Sequence, residues 1–307
     1  MQKDCPSGSD HITDMENDES MLNDHLILET ASAPPRAERL SLCIGGISCS
    51  IMSQDTAFLD LLRQRYQWFE MSGPATYEIL LQLTPADELI SSNSAESSPE
   101  VKRINSGDNY LIRQAHNPFV AVVNVLSKKA LVKLWNSEFS FDNFLRILYS
   151  LILVKEGGLL LHASSVSDGG RGRVFFGPSG SGKTTIAQLS GGRTVLTDEL
   201  ALIRPRDSGY RVYGTPFWGE FKPGKSNGRA ELAGLYALKK DQSNCIVPID
   251  KVQAVTELYR CVLFFSHELP LLSRILDTCC ALVDAIPVYE LHFQRDPAFW
   301  EVLNGTK

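Results

Sequence analysis

One octapeptide constrains this chain more than any other feature. Gly177-Pro178-Ser179-Gly180-Ser181-Gly182-Lys183-Thr184 fits the pattern G-x-x-x-x-G-K-[ST] at every defined position. It follows an apolar run, Arg173-Val174-Phe175-Phe176, and precedes a segment, Thr185 to Leu189, that can continue as a helix. Glycines let the backbone curl so that successive N–H groups point at phosphate oxygens, and the start of the helix adds positive potential. Gly177 to Thr185 are therefore expected to bind nucleotide phosphate, with Lys183 reaching the β and γ phosphates and the Thr184 hydroxyl on Mg²⁺. The alternative is a glycine-rich turn of no further consequence. Average residue frequencies give such a chance match in about one sequence in a hundred of this length.

A phosphate loop needs an acid at the end of a neighbouring apolar strand, and Val195-Leu196-Thr197-Asp198-Glu199 supplies two. Asp198 follows Lys183 by fifteen residues, room for one short helix only, so the acid strand is expected directly after the loop's helix. Two adjacent acids also suit a division of labour in which one holds Mg²⁺ and the other accepts a proton from an attacking hydroxyl. The plainer reading of the pair is a polar cap on a strand.

Leu159-Leu160-Leu161-His162-Ala163-Ser164-Ser165, the loop and Leu196-Thr197-Asp198-Glu199 together resemble the catalytic domain of HPr kinase/phosphorylase and its relatives. The resemblance covers roughly residues 140 to 300. It implies a P-loop fold similar to the ATP-dependent phosphoenolpyruvate carboxykinases and phosphorylation of serine hydroxyls on a protein or peptide, with ATP and Mg²⁺ as cofactors. It also implies Asp198 as general base, Lys183 and His162 as catalytic partners beside the phosphates, and Glu199 with Thr184 at the metal. The family usually has a second aspartate where this chain has Glu199. Its downstream Gly-x-Gly-x-x-Asn signature is not visible here, so HPr itself is not the expected acceptor. From the residues alone, a single strand histidine reads as structural at least as readily.

Gly214-Thr215-Pro216-Phe217-Trp218-Gly219-Glu220-Phe221, followed by Lys222, Lys225 and Arg229, has the composition of a shaped loop beside a site. Glu220 is a candidate for touching metal or substrate, and Lys222 or Lys225 for neutralising transferred phosphate. A purely structural loop fits the same residues.

The rest of the chain sets bounds. A 43% hydrophobic, 21% charged composition over 307 residues supports one or two cores. Residues 1–38 read as an acidic tail, and residues 39–128, with alternating runs such as Tyr77-Ile79-Leu81-Leu83, as a β-rich α+β domain suited to acceptor recognition. Residues 129–307 read as the α/β kinase domain, expected to bind nucleotide without the first block. Residues 1–39 carry a net charge of −6 and the remainder carries none, so neither nucleic acid nor a membrane is an expected partner. Homo-oligomerisation stays open. Asp4, Asp10, Asp14, Glu16, Asp18 and Glu19 occupy the place of a secretory signal's apolar core, and no apolar run is long enough to span a bilayer, which makes the expected compartment the cytoplasm. The seven cysteines lack any Cys-x-x-Cys spacing and read as reduced thiols. Two further readings remain: a non-catalytic nucleotide-binding module, and a small-molecule kinase of the same fold.

Overall fold

The computed structural model describes residues 35–90, 98–104, 108–206, 209–219, 221 and 227–305. Among them are two mixed β-sheets and seven helices, an α/β architecture. The first sheet has seven strands in the order β1-β2-β3-β7-β6-β5-β4. They are β1 (Glu38–Ile44), β2 (Ile47–Ser53), β3 (Tyr77–Leu83), β4 (Glu100–Ile104), β5 (Asn109–Gln114), β6 (Phe119–Asn124) and β7 (Lys129–Leu134). The alternation Leu40, Leu42, Ile44 points inward, and a tight turn at Gly45-Gly46 returns the chain as β2. Helix α1 (Thr56–Tyr66) crosses from β2 to the parallel β3, capped by Asp55, whose carboxylate accepts the Phe58 N–H at 2.8 Å. Phe58, Leu59, Leu62 and Tyr66 form its buried face. The short α2 (Ala86–Leu89) follows β3.

The first sheet differs in extent from the sequence expectation. The boundary at residue 128 falls just before β7, which pairs with both β3 and β6, so the sheet runs on to Leu134. β7 is apolar on both faces, because Leu131 joins Leu111, Val120 and Val122 on the side opposite Ala130, Val132 and Leu134. A strand buried on two faces has no period-2 signature. Most of the expected acidic tail, residues 1–34, lies outside the described residues, and Glu38 already belongs to β1.

Helix α3 (Glu138–Lys155) follows, capped by Ser137, whose hydroxyl accepts the Phe139 N–H. Thirteen of its 18 residues are buried, the pattern of a helix enclosed on nearly every side. It packs on β6 of the first sheet and on the strand Leu159–Asp168 of the second, and touches α1 and the helix Leu269–Ala285.

The second sheet contains β8 (Leu159–Asp168), β9 (Arg171–Phe176), β10 (Thr194–Thr197), β11 (Leu200–Arg206), β12 (Gly209–Tyr213), β13 (Arg229–Lys240), β14 (Cys245–Pro248) and β15 (Val288–Phe293). Helices α4 (Lys183–Gln188), α5 (Lys251–Tyr259), α6 (Leu269–Ala285) and α7 (Phe299–Gly305) complete the chain. Five strands close into a ring: β8 pairs β11, β11 pairs β12, β12 pairs β13, β13 pairs β9, and β9 returns to β8. The sequence from Lys251 to Phe265 reads as one helix, but α5 stops at Tyr259. Beyond it the chain extends beside β8, where Cys261 O accepts the His162 N–H at 2.7 Å and Leu263 N donates to Leu160 O at 2.8 Å. The main-chain groups on that side of β8 need partners, and this segment supplies them.

One hydrophobic cluster runs from Leu40 to Ile286 through both sheets and α3. Polar ties reinforce it: Tyr149 Oη donates to Ile47 O at 3.0 Å, Arg204 Nη1 to Gly45 O at 2.7 Å, and Asn227 Nδ2 to Cys43 O at 3.0 Å. No helix among the described residues is long and apolar enough to cross a membrane. The six described cysteines are free thiols.

A shared core of this kind makes the halves interdependent. A truncation to residues 135–305 should lose the cooperative thermal transition of the full chain, because it bares the α3 face that carries Phe144, packed edge-on against Phe119 at 5.9 Å. A sharp transition for that fragment in circular dichroism would show the second sheet to be self-sufficient.

Candidate active site

β9 is fixed between β8 and β13, with Phe176 opposite Ala163 on one side and Ala237 on the other. The chain leaves it at Gly177 and turns through Gly180 and Gly182, whose φ values are 76° and 107°. Gly182 is required twice over, since a Cβ there would also meet the Phe293 ring at 2.5 Å. Lys183 then opens α4. The first N–H of this turn with an intrahelical acceptor is that of Ile186, which reaches Gly182 O at 2.9 Å. Those of Lys183, Thr184 and Thr185 have none, as at any helix start. Lys183 is only 7% exposed, and its Nζ donates to Gly177 O and Pro178 O, both at 2.9 Å. Burial pulls its ammonium below the ordinary lysine range, with Cys261 and Glu199 opposing.

The acids sit one strand away. β10 and β11 both run antiparallel to β8, and Asp198-Glu199 form the short break between them. Ala163 of β8 faces Phe176 on one side, and its N–H donates to Glu199 O at 2.9 Å on the other. Two strand spacings, about 10 Å, thus separate the start of the glycine loop from the acid pair. Asp198 is 2% exposed. Its Oδ1 accepts the Gly219 N–H and its Oδ2 the Phe221 N–H, each at 3.0 Å. Gly219 and Phe221 therefore lie against the acids. A Cβ on Gly219 would fall 2.9 Å from Asp198 Oδ2 and 3.4 Å from Glu199 Oε2, so no other residue lets the loop approach this closely.

Glu199 Oε1 accepts from Arg146 Nη1 of α3 at 3.1 Å. Burial pushes this carboxyl up, Arg146 draws it down, and the Asp198 and Asp142 charges raise it further. His162 is exposed on β8. Partial withdrawal from water on the cleft side, then the charges of Lys183 and Arg146, lower the pKa of this otherwise exposed ring from the usual 6.5, which favours the neutral imidazole at neutral pH.

A cleft of about 510 Å³ brings together Ser179, Gly180, Gly182, Lys183, Thr184 and Thr185 with His162, Asp198 and Glu199. Gly177 and Pro178 stand behind Lys183 as its acceptors, and Ser181 is buried within the loop. Glu220, Lys222 and Lys225 lie outside the described residues. Two residues are absent from the sequence reading, one bonded to Glu199 from behind and one lining the cleft. Arg146 was legible as a lone charge in the apolar run Phe144-Leu145-Arg146-Ile147-Leu148. Lys240 lines the cleft from the end of β13 and carries no local signal.

Chemically, the loop amides and Lys183 can hold a polyanion. Among the described residues no cluster of three His, Cys, Asp or Glu side chains is placed to hold a metal. A cation here would take the Thr184 hydroxyl and the Glu199 carboxylate and complete its shell from phosphate oxygens and water, the usual habit of Mg²⁺. Asp198 presents a carboxylate that can receive a proton once a loop amide releases it.

None of the curated proteins compared with the chain matches it. Residues 135–306 match the family model described as SynChlorMet cassette protein ScmC, a span that includes α3, the glycine loop and both acids. That is more than half of the chain, and the chain belongs to the SynChlorMet cassette protein ScmC family.

Proposed function

We propose that this chain is an ATP-dependent kinase of the HPr-kinase-like type, transferring the γ-phosphoryl group of ATP to a serine-type hydroxyl of a peptide or protein. The observation that carries the reading is the common cleft. A G-x-x-x-x-G-K-T loop and a buried aspartate on nearly adjacent strands open into it, with His162 on the strand between them. The left-handed glycines at 180 and 182 and the buried ammonium of Lys183, bonded only to neutral carbonyl oxygens, fit a polyphosphate. The Thr184 hydroxyl and the Glu199 carboxylate fit the cation that travels with it. Mg²⁺, when bound, would neutralise phosphate charge. Lys183 and the loop amides hold the β and γ phosphates and stabilise the charge that spreads over them in the transition state. Asp198 takes the proton of the acceptor hydroxyl as its oxygen attacks phosphorus. Neutral His162 donates or accepts a hydrogen bond at the phosphate edge. The word cassette in the family's description directs the search for the acceptor to proteins encoded alongside this one.

The non-catalytic alternative has one observation in its favour: both Asp198 oxygens are already bonded to loop amides. Substitution separates the two readings. Lys183→Ala should weaken ATP·Mg²⁺ binding in calorimetry about 10- to 100-fold, the worth of charge-assisted hydrogen bonds to phosphate, and should abolish transfer. Unchanged affinity would remove the loop from the site.

Asp198→Asn keeps one acceptor and turns an amide nitrogen on the other loop N–H, so the loop loosens while the phosphate loop is untouched. ATP should still bind, and transfer of labelled phosphate to candidate acceptors should fall roughly 10²–10⁴-fold. Full transfer by this variant would refute the base assignment. Wild-type protein that binds ATP yet modifies neither peptide, protein nor small hydroxyl compounds would favour the binding module.

A further inference from the structure

Within α3, from Phe141 to Val154, the only charged residues are Asp142 and Arg146, one helical turn apart. A buried ion pair of this kind is costly to desolvate and is commonly replaceable by apolar residues without loss of stability, so packing alone does not call for it. Its connections give it a different purpose. Arg146 Nε and Nη2 both reach Asp142 Oδ2 at 3.2 Å, while Nη1 reaches Glu199 Oε1 at 3.1 Å. The guanidinium also lies over the Phe217 ring at 5.6 Å, in the loop that goes on to meet Asp198. The other oxygen of Asp142, Oδ1, accepts from Tyr66 Oη at 2.9 Å and pairs with Arg65 Nη2 at 3.1 Å. Arg65 and Tyr66 end α1, in the first sheet's half of the molecule. Charges alternate along this line, Arg65, Asp142, Arg146, Glu199, and the two inner groups, Asp142 and Arg146, are each gripped on both sides. The guanidinium cannot turn without breaking bonds at both carboxylates.

We propose that Arg146 is the positioning residue of Glu199, and that Asp142, held by Tyr66 and Arg65, sets the angle at which Arg146 does so. The first sheet then completes the cation side of the cleft, although no residue of it enters the cleft lining. The assignment rests on the nucleotide reading above. Arg146 acts through Glu199, fixing one carboxylate oxygen so that Oε2, beside Gly219, is presented to the cation.

The test is calorimetry on the full chain with two probes, ATP·Mg²⁺ and ATP in EDTA, with thermal melts to confirm folding. Arg146→Ala should weaken ATP·Mg²⁺ about tenfold or more, the cost of losing an outer partner of a metal ligand, and leave ATP in EDTA unchanged. Glu199→Gln should do the same, and the double variant should bind no worse than Glu199→Gln alone, because both remove one contribution. Arg146→Lys should recover only part of the loss, since an ammonium cannot span both carboxylates as the fork does, and it carries the test if Arg146→Ala melts abnormally. Tyr66→Phe should show a smaller loss of the same sign.

Additive losses, or an equal loss for ATP in EDTA, would mean that Arg146 touches the nucleotide itself and would overturn the positioning role. Tyr66→Phe indistinguishable from wild type would overturn the first sheet's part in it. Wild-type protein that binds neither probe would instead overturn the nucleotide reading and this assignment with it, an outcome distinct from wild-type binding with an indifferent Arg146→Ala.

Discussion

The enclosure of α3 is the constraint on which the rest of the molecule depends. A helix buried on thirteen of 18 positions has no solvent face to spare, so both sheets must be present to cover it. Apolar burial stabilises at about 25 cal/mol per Å² of area removed from water, and α3 gains it from two sides at once. The same enclosure fixes the helix in rotation as well as in place. Arg146 therefore emerges beside the acid pair from a helix held in place by the buried Phe141, Phe144 and Leu145.

The polar features of the core follow from that rigidity. Tyr149 reaches Ile47 O across the junction of the halves, packs edge-on to Phe217 at 6.2 Å, and lies beside the Cys49 thiol. Burial drives the Tyr149 phenol well above its usual range and the Cys49 thiol up to about 12, so both stay neutral and serve as hydrogen-bonding and packing groups. Cys261 also lies close to the cleft, and burial raises it as well, against the influence of Gly177 and Lys183. A thiol raised in this way is a poor nucleophile, so its place beside the glycine loop is one of packing.

Parts of this arrangement were legible in the sequence because they are local. The run Arg173 to Phe176, the glycines and the acid pair fifteen residues after Lys183 name the loop, its strand and the following acid strand without reference to anything distant. Helix α6 was legible through its apolar period. Other elements were hidden by physics that a single strand or helix does not carry. β7 and β13 are buried on both faces or interrupted by Gly234, which erases alternation. The end of α5 depended on the needs of β8, a strand far back in the chain. Within the site, the glycine at 219 was visible, but its reason was not: the carboxylate it must approach lies 21 residues earlier. The pairing of Arg146 with Glu199 spans 53 residues and has no counterpart in spacing.

The ring of β8, β11, β12, β13 and β9 has a consequence for how such a cleft can be adjusted. In an open sheet a strand can slide by two residues and keep its faces, changing the reach between groups on neighbouring strands. In a closed ring no member slides unless its ladders on both sides break together. The span from the end of β9 to the acid turn is thereby a fixed length, like a gauge block. Any change in the reach of the cleft has to come from what projects off the frame. A side chain longer or shorter by one methylene at position 199 is a change of that size.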